Sequence, residues 1–110
     1  MRVAANKEEV LRITDQFRGK NGMVYDLKIG PSRLTLCISP RMTSQDAGDW
    51  HIEAAVSKAP DGVVVGAWGP TKAGALAAVG KAWAVEATAG TLPVFDWDAV
   101  RKALDGVRAL

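Results

Sequence analysis

Four segments of the chain alternate apolar and polar residues with a period of two, and this alternation constrains the fold more than any other feature. The segments are residues 23–29, 33–39, 49–57 and 63–68, the last being shorter and mostly apolar. Successive side chains of a β-strand point to opposite faces, so such segments carry one apolar and one more polar face. Strands of this kind form an antiparallel sheet that is covered on one side only.

The connections between these segments favour a meander. Gly30-Pro31-Ser32 and Ala59-Pro60-Asp61-Gly62 have the composition of hairpin turns, and residues 40–48 form a longer polar connection. Each strand is therefore expected to pair with the next one along the chain.

Helical spacing is present on both sides of the strand region. Asn6 and Glu9 resemble a capping box, and Val10, Ile13 and Phe17 follow at helical spacing, which predicts a helix over about 7–18.

Two helices are predicted after the strands. An alanine-rich segment over about 72–88 follows Thr71, which is placed as its cap. Asp96 is the predicted N-cap of a last helix, whose apolar stripe contains Val100, Leu104 and Val107.

These elements predict a single α+β domain over residues 1–110, in the order α-β-β-β-β-α-α, with a four-stranded antiparallel meander sheet and helices packed on one face. The apolar positions of strands and helices should meet in one layer. The residues expected to be buried together are Phe17, Tyr25, Leu27, Leu34, Leu36, Ile52, Val65, Leu76, Val79 and Trp83.

Composition narrows the class of protein. Of the 110 residues, 48% are hydrophobic and 24% charged, which excludes a disordered chain. No apolar run is long enough to span a bilayer, no secretory signal precedes residue 10, and a single cysteine excludes an intramolecular disulfide. We therefore expect a soluble cytoplasmic protein. The spacing of His, Cys and carboxylates predicts no metal site, and the glycines predict no cofactor-phosphate site.

Positive charge is concentrated in the first half of the chain. Residues 1–45 contain eight Lys/Arg and four Asp/Glu, a net charge of +4, whereas residues 46–110 contain six and eight, a net charge of −2. Such asymmetry favours an anionic partner, and nucleic acid is the candidate. The predicted contact residues in this basic segment are Arg18, Lys20, Lys28, Arg33 and Arg41.

The polar faces of the strands predict what the outer surface of the sheet contains. Pairing Leu27 with Leu36, Leu36 with Ile52 and Val56 with Val63 keeps the apolar faces together. The outer face then carries the row Asp26, Cys37, His51, Trp68, with a second row of Lys28, Thr35, Glu53 and Gly66. An exposed Trp68 could stack on a base, as aromatic residues do in single-strand binders.

The strand-to-helix joint is similar to that of double-stranded RNA-binding domains at Gly69, Thr71, Lys72 and Ala75. That family carries further lysines that contact phosphates, and these positions are Ala73 and Leu76 here. The resemblance covers about eight residues, and the chain is not assigned to the family.

Three functions remain open from the sequence. The first is a non-enzymatic binding module for nucleic acid, acting through the outer sheet face and residues 18–41. The second is a protein-interaction domain or homodimer, with the last helix or the outer face at its interface. The third is a small enzyme using Cys37 and His51, the only thiol and imidazole of the chain. No catalytic residue is assigned.

Overall fold

A computed structural model describes residues 11–40, 49–57 and 63–110 and places five strands and two helices in them. Neighbouring strands pair antiparallel in the order β1-β2-β3-β4-β5. The α+β class and the meander are confirmed, but the sheet has five strands where four were expected. The elements are β1 (Arg12–Arg18), β2 (Met23–Ile29), β3 (Ser32–Pro40), β4 (Trp50–Val56), β5 (Val64–Gly69), α1 (Lys72–Thr88) and α2 (Trp97–Gly106).

The helix predicted over about 7–18 is wrong from residue 12 onward, where the chain forms β1 instead. Its first part lies outside the described residues. The apolar residues at helical spacing were too few to decide between a helix and a strand. Pairing with the edge of β2 supplies backbone hydrogen bonds on both sides of an irregularity at Thr14, so the tertiary partner overrides the local pattern.

A β-bulge in β1 explains why Phe17 is not in the core. The pairing shifts between Ile13 and Asp15, so that Ile13 lies opposite Leu27 and Phe17 lies opposite Val24. A bulge inserts one residue and turns the following side chains to the other face. Phe17 is therefore on the outer face with 46% of its surface exposed, and its expected burial is wrong.

The other nine predicted core residues are buried between the sheet and the helices. Helix α1 packs on β4 and β5, and α2 contacts α1 and β1, so both helices cover the same face of the sheet. Thr71 and Asp96 cap the two helices as expected. Thr71 Oγ1 accepts from Gly74 N at 2.9 Å, and Asp96 Oδ1 accepts from Asp98 N at 3.0 Å.

Trp83 lies at the centre of this packing and is fully buried. Its Nε1 donates to the carbonyl oxygen of Pro93 at 2.8 Å, in the segment that joins α1 to α2. The Trp83 ring stacks on Phe95 at 5.5 Å and meets Trp97 edge-on at 5.6 Å. These contacts fix the direction in which α2 leaves α1.

The last helix folds onto its own chain. Val100 and Leu104 are fully buried within the core, while Val107 is 40% exposed. Most of its apolar stripe is therefore buried in the core of its own chain.

Replacing Leu36 with alanine should lower the free energy of unfolding by roughly 2–5 kcal/mol, because Leu36 is fully buried and its removal leaves a cavity. Urea denaturation followed by circular dichroism measures the change. Val85→Ala is the control, since Val85 is 68% exposed on α1 and its loss should change stability by no more than about 0.5 kcal/mol. A Leu36→Ala loss below about 1 kcal/mol would contradict the assigned core.

Candidate functional site

The outer face of the sheet is the surface on which most of the predicted site residues lie. Both helices pack on the inner face, and no described helix covers the outer one. Two of the large apolar residues exposed there, Phe17 and Trp68, are each about half exposed.

Two of the three expected strand registers are shifted by two residues. Leu27 pairs with Leu34 rather than with Leu36, and Leu36 pairs with Ala54 rather than with Ile52. The faces are unchanged, because a shift of two residues preserves the side-chain direction. The third register is confirmed, and His51 lies opposite Trp68.

The corrected registers break up the expected row of Asp26, Cys37, His51 and Trp68. Asp26 lies opposite Thr35 and accepts a hydrogen bond from its hydroxyl at 2.7 Å. Cys37 lies opposite Glu53, and His51 lies opposite Ser39. The second expected row is changed in the same way, although Glu53 and Gly66 do pair.

One end of the outer face carries three cations side by side, here called the cation row. Arg12 pairs with Lys28, and Lys28 pairs with Arg33, across β1, β2 and β3. Like charges directly opposite each other are unfavourable. Lys28 is partly compensated, since its Nζ donates to the carbonyl oxygen of Gly30 at 2.7 Å. In the described part of the chain, neither arginine forms an ion pair with a carboxylate.

Next to the cation row, the same face carries Asp15 and Asp26, which lie opposite each other on β1 and β2. Glu53 adds a third carboxylate on β4, two strands away from β2. The three carboxylates equal the three cations of the row in number, and Asp15 and Asp26 make the middle of β1 and β2 negative on this face. The cations of this face are concentrated at its ends.

The other end of the face contains a polar cleft of about 580 Å³, here called the turn-end cleft. It lies where the turn between β1 and β2 approaches the end of β3. The polar and charged side chains that line it are those of Arg18, Lys20, Asn21, Ser39, His51 and Glu53.

Gly22 allows the turn to come this close to β3. A Cβ at this position would overlap the carbonyl oxygen of Ile38 and lie 2.8 Å from the Cα of Ser39. The turn is closed by a hydrogen bond from Gly19 N to the carbonyl oxygen of Gly22 at 2.7 Å. Close approach of the backbone thus brings Lys20 and Arg18 to the same cleft as residues of β3 and β4.

His51 and Trp68 form an aromatic pair beside the turn-end cleft. Their ring centroids are 4.1 Å apart with an interplanar angle of 34°. Gly66 provides space for the imidazole, since a Cβ there would lie 3.0 Å from His51 Nε2. On its other side, His51 Nδ1 is 3.7 Å from Glu53 Oε1. Trp68 remains 47% exposed, so part of the indole surface is accessible to a ligand.

The structure divides the predicted contact residues into two groups. Arg18 and Lys20 line the turn-end cleft, with Trp68 nearby. Lys28 and Arg33 lie in the cation row. This row is roughly 20 Å from the turn-end cleft, because six residues of β3 at ~3.4 Å each separate the two. Arg41 lies outside the described residues.

Arg12 was missed by sequence reasoning because it was assigned to a helix. The strand pairing places it beside Lys28. Its charge was visible in the sequence, but no local signal could place it on the sheet, because only the pairing of β1 with β2 does so.

Cys37 and His51 are not arranged as a nucleophile and its base. They lie diagonally on neighbouring strands, and the imidazole packs against the Trp68 ring instead. Partial burial raises the pKa of the Cys37 thiol, and the facing carboxylate of Glu53 raises it further. The thiol is thus held protonated at neutral pH, the opposite of what an activated cysteine requires.

The described residues contain no group of three or more His, Cys, Asp or Glu side chains able to hold a metal ion. In the same part of the chain, no helix is long and apolar enough to cross a membrane.

Comparison with models of known protein families, with curated proteins and with solved structures gives no match. The short resemblance to double-stranded RNA-binding domains is confined to the joint between β5 and α1.

Cys37 should react slowly with iodoacetamide at pH 7.5, because its raised pKa lowers the thiolate fraction below that of a free cysteine. Glu53→Gln removes one cause of the shift, so alkylation should become faster and its pH midpoint should fall. Asp26→Asn on the same face is the control and should leave the rate unchanged. A midpoint below the ordinary value of ~8.5 in the unaltered protein would contradict this assignment.

Proposed function

We propose that the protein binds single-stranded nucleic acid on the outer face of the sheet, with its main contacts at the turn-end cleft. One observation carries the proposal. The half-exposed Trp68 packs against His51 beside a polar cleft that contains Arg18 and Lys20. An aromatic face for a base next to cations for the backbone is the combination that single-strand binders use.

Base stacking and phosphate contacts contribute to the proposed binding in different ways. Stacking of a base on an aromatic side chain contributes ~1–3 kcal/mol and is tolerant of sequence. Phosphate contacts by Arg18 and Lys20 release counterions, so their contribution falls as salt is raised. Glu53 also lines the cleft and opposes a phosphate there, which limits the affinity of the cleft for anions.

The cation row extends the proposed site along the sheet. It lies roughly 20 Å from the turn-end cleft, a distance that a strand of several nucleotides can span. The carboxylates of Asp15 and Asp26 lie between the two ends, where a phosphate would be repelled. A flexible single strand can keep its phosphates away from them by presenting bases there, whereas the fixed phosphate spacing of a duplex cannot adapt in this way.

Charge reversal at the cleft tests the proposal. Arg18→Glu combined with Lys20→Glu should weaken binding of a labelled single-stranded oligonucleotide by more than about 10-fold at low salt. It should also make the salt dependence shallower by ~1.4, the slope for two lost phosphate contacts. Fluorescence anisotropy at several salt concentrations measures both quantities.

The matched control reverses two exposed lysines on the helices, Lys81→Glu with Lys102→Glu, which alters the net charge equally. It should retain nearly full affinity and the original salt slope. Equal losses in both double variants would mean that net charge alone attracts the strand. Absence of any oligonucleotide binding by the unaltered protein at low salt would reject the proposal.

Glu53→Gln should increase oligonucleotide affinity several-fold, because it removes the negative charge from the turn-end cleft. The same anisotropy titration measures the gain. Asp105→Asn is the control, since Asp105 pairs with Arg101 on α2, away from the cleft. A lower affinity of the Glu53→Gln variant would place the phosphate elsewhere.

Self-association through the outer face is a second candidate function. Phe17 and Val64 are 46% and 52% exposed there, and large apolar side chains on an open sheet face favour contact with another copy. Sedimentation equilibrium should then show a dimer that Phe17→Lys converts to a single species near 11.7 kDa. The same single species for the unaltered protein at micromolar concentration would exclude this candidate there.

A further inference from the structure

A second cavity lies behind the turn-end cleft, on the inner side of the sheet. It has a volume of about 220 Å³ and is bounded by the ends of β2, β3 and β4, the start of α1 and Ala109 near the C-terminus. This volume is below the ~300 Å³ at which pockets for drug-sized ligands begin, so the cavity suits a ligand no larger than one nucleotide.

The walls of this cavity are aromatic and apolar. Tyr25 and Trp50 provide rings, and Met23 and Ile38 provide aliphatic surface. Tyr25 is 6% exposed and Ile38 3% exposed, so these walls are held in place by the core. Flat, rigid walls of this kind favour a planar ring by stacking and by burial of apolar surface.

Positive charge is concentrated at the same cavity. Arg18 and Lys72 both line it, and none of the described residues that line it is acidic. Lys72 is the first residue of α1, whose first turn contains no acidic residue, so its charge adds to the positive end of the helix dipole. Its Nζ is held 4.6 Å from the centroid of the Trp50 ring. An anion would relieve this concentration of charge, and Trp50 keeps the ammonium beside the ring wall.

We propose that this cavity binds one nucleotide, with the base against Tyr25 and Trp50 and the phosphate between Arg18 and Lys72. Arg18 also lines the turn-end cleft, so the inference rests on the proposed function to the extent that both sites share this cation. The nucleotide can come from either of two sources. It is a free mononucleotide, or the terminal nucleotide of a strand bound on the outer face.

Lys20 and Lys72 separate the two sites experimentally, because Lys20 lines only the turn-end cleft and Lys72 lines only the cavity. The probes are adenosine 5′-monophosphate, adenosine and inorganic phosphate, followed by NMR titration of the labelled protein. Adenosine 5′-monophosphate should shift the indole N–H signal of Trp50 and should bind at least 10-fold more tightly than either fragment. Lys72→Gln should weaken this binding about 10-fold, while Lys20→Gln should leave it nearly unchanged.

The test also separates the two proposals and the two sources. In the first outcome, the protein binds the mononucleotide, Lys72→Gln weakens this binding, and no oligonucleotide binds. This result supports the cavity site with free nucleotide as its ligand and rejects the proposed function. If an oligonucleotide with a terminal phosphate binds and also shifts the Trp50 signal, the strand end is the source. If an oligonucleotide binds without shifting the Trp50 signal, and the protein does not respond to the mononucleotide at millimolar concentration, the cavity site alone is overturned. Equal affinities of the Lys72→Gln variant and the unaltered protein overturn it as well.

Discussion

Burial of the apolar inner face of the sheet is the constraint on which the rest of the structure depends. Trp83 is the largest fully buried side chain, and α1 carries it into the layer between sheet and helices. The contacts of its ring with Phe95 and Trp97 direct α2 onto the same layer. Because both described helices pack on one face, no described helix covers the other face.

The same constraint determines where charge can accumulate. Pairing between strands brings together Arg12, Lys28 and Arg33 on the outer face, from distant parts of the sequence. At the opposite end, the turn that contains Gly22 packs closely on β3 and leaves Arg18 where the outer cleft and the inner cavity meet. The two proposed binding sites are therefore neighbours, although they lie on opposite sides of the sheet.

The predicted strand registers differ from the observed ones because an alternating pattern does not determine the register. An alternating strand has the same faces after a shift of two residues, so the pattern could not distinguish Leu34 from Leu36 as the partner of Leu27. The expected pairing of Cys37 with His51 failed for this reason. The pairing of His51 with Trp68 was predicted correctly, and it is the part of the expected row that lies in the proposed site.

The sequence by itself determined the four later strands, the two later helices with their caps at Thr71 and Asp96, and nine of the ten core residues that it predicted. These features depend on periodicity and capping, which are local. Only the tertiary structure decided that residues 12–18 form a strand, that a bulge turns Phe17 outward, and that Arg18 and Lys20 meet His51 in one cleft. Those outcomes depend on which strand edge is open for pairing and on how closely two backbones can approach, and both are set by residues far apart in the sequence.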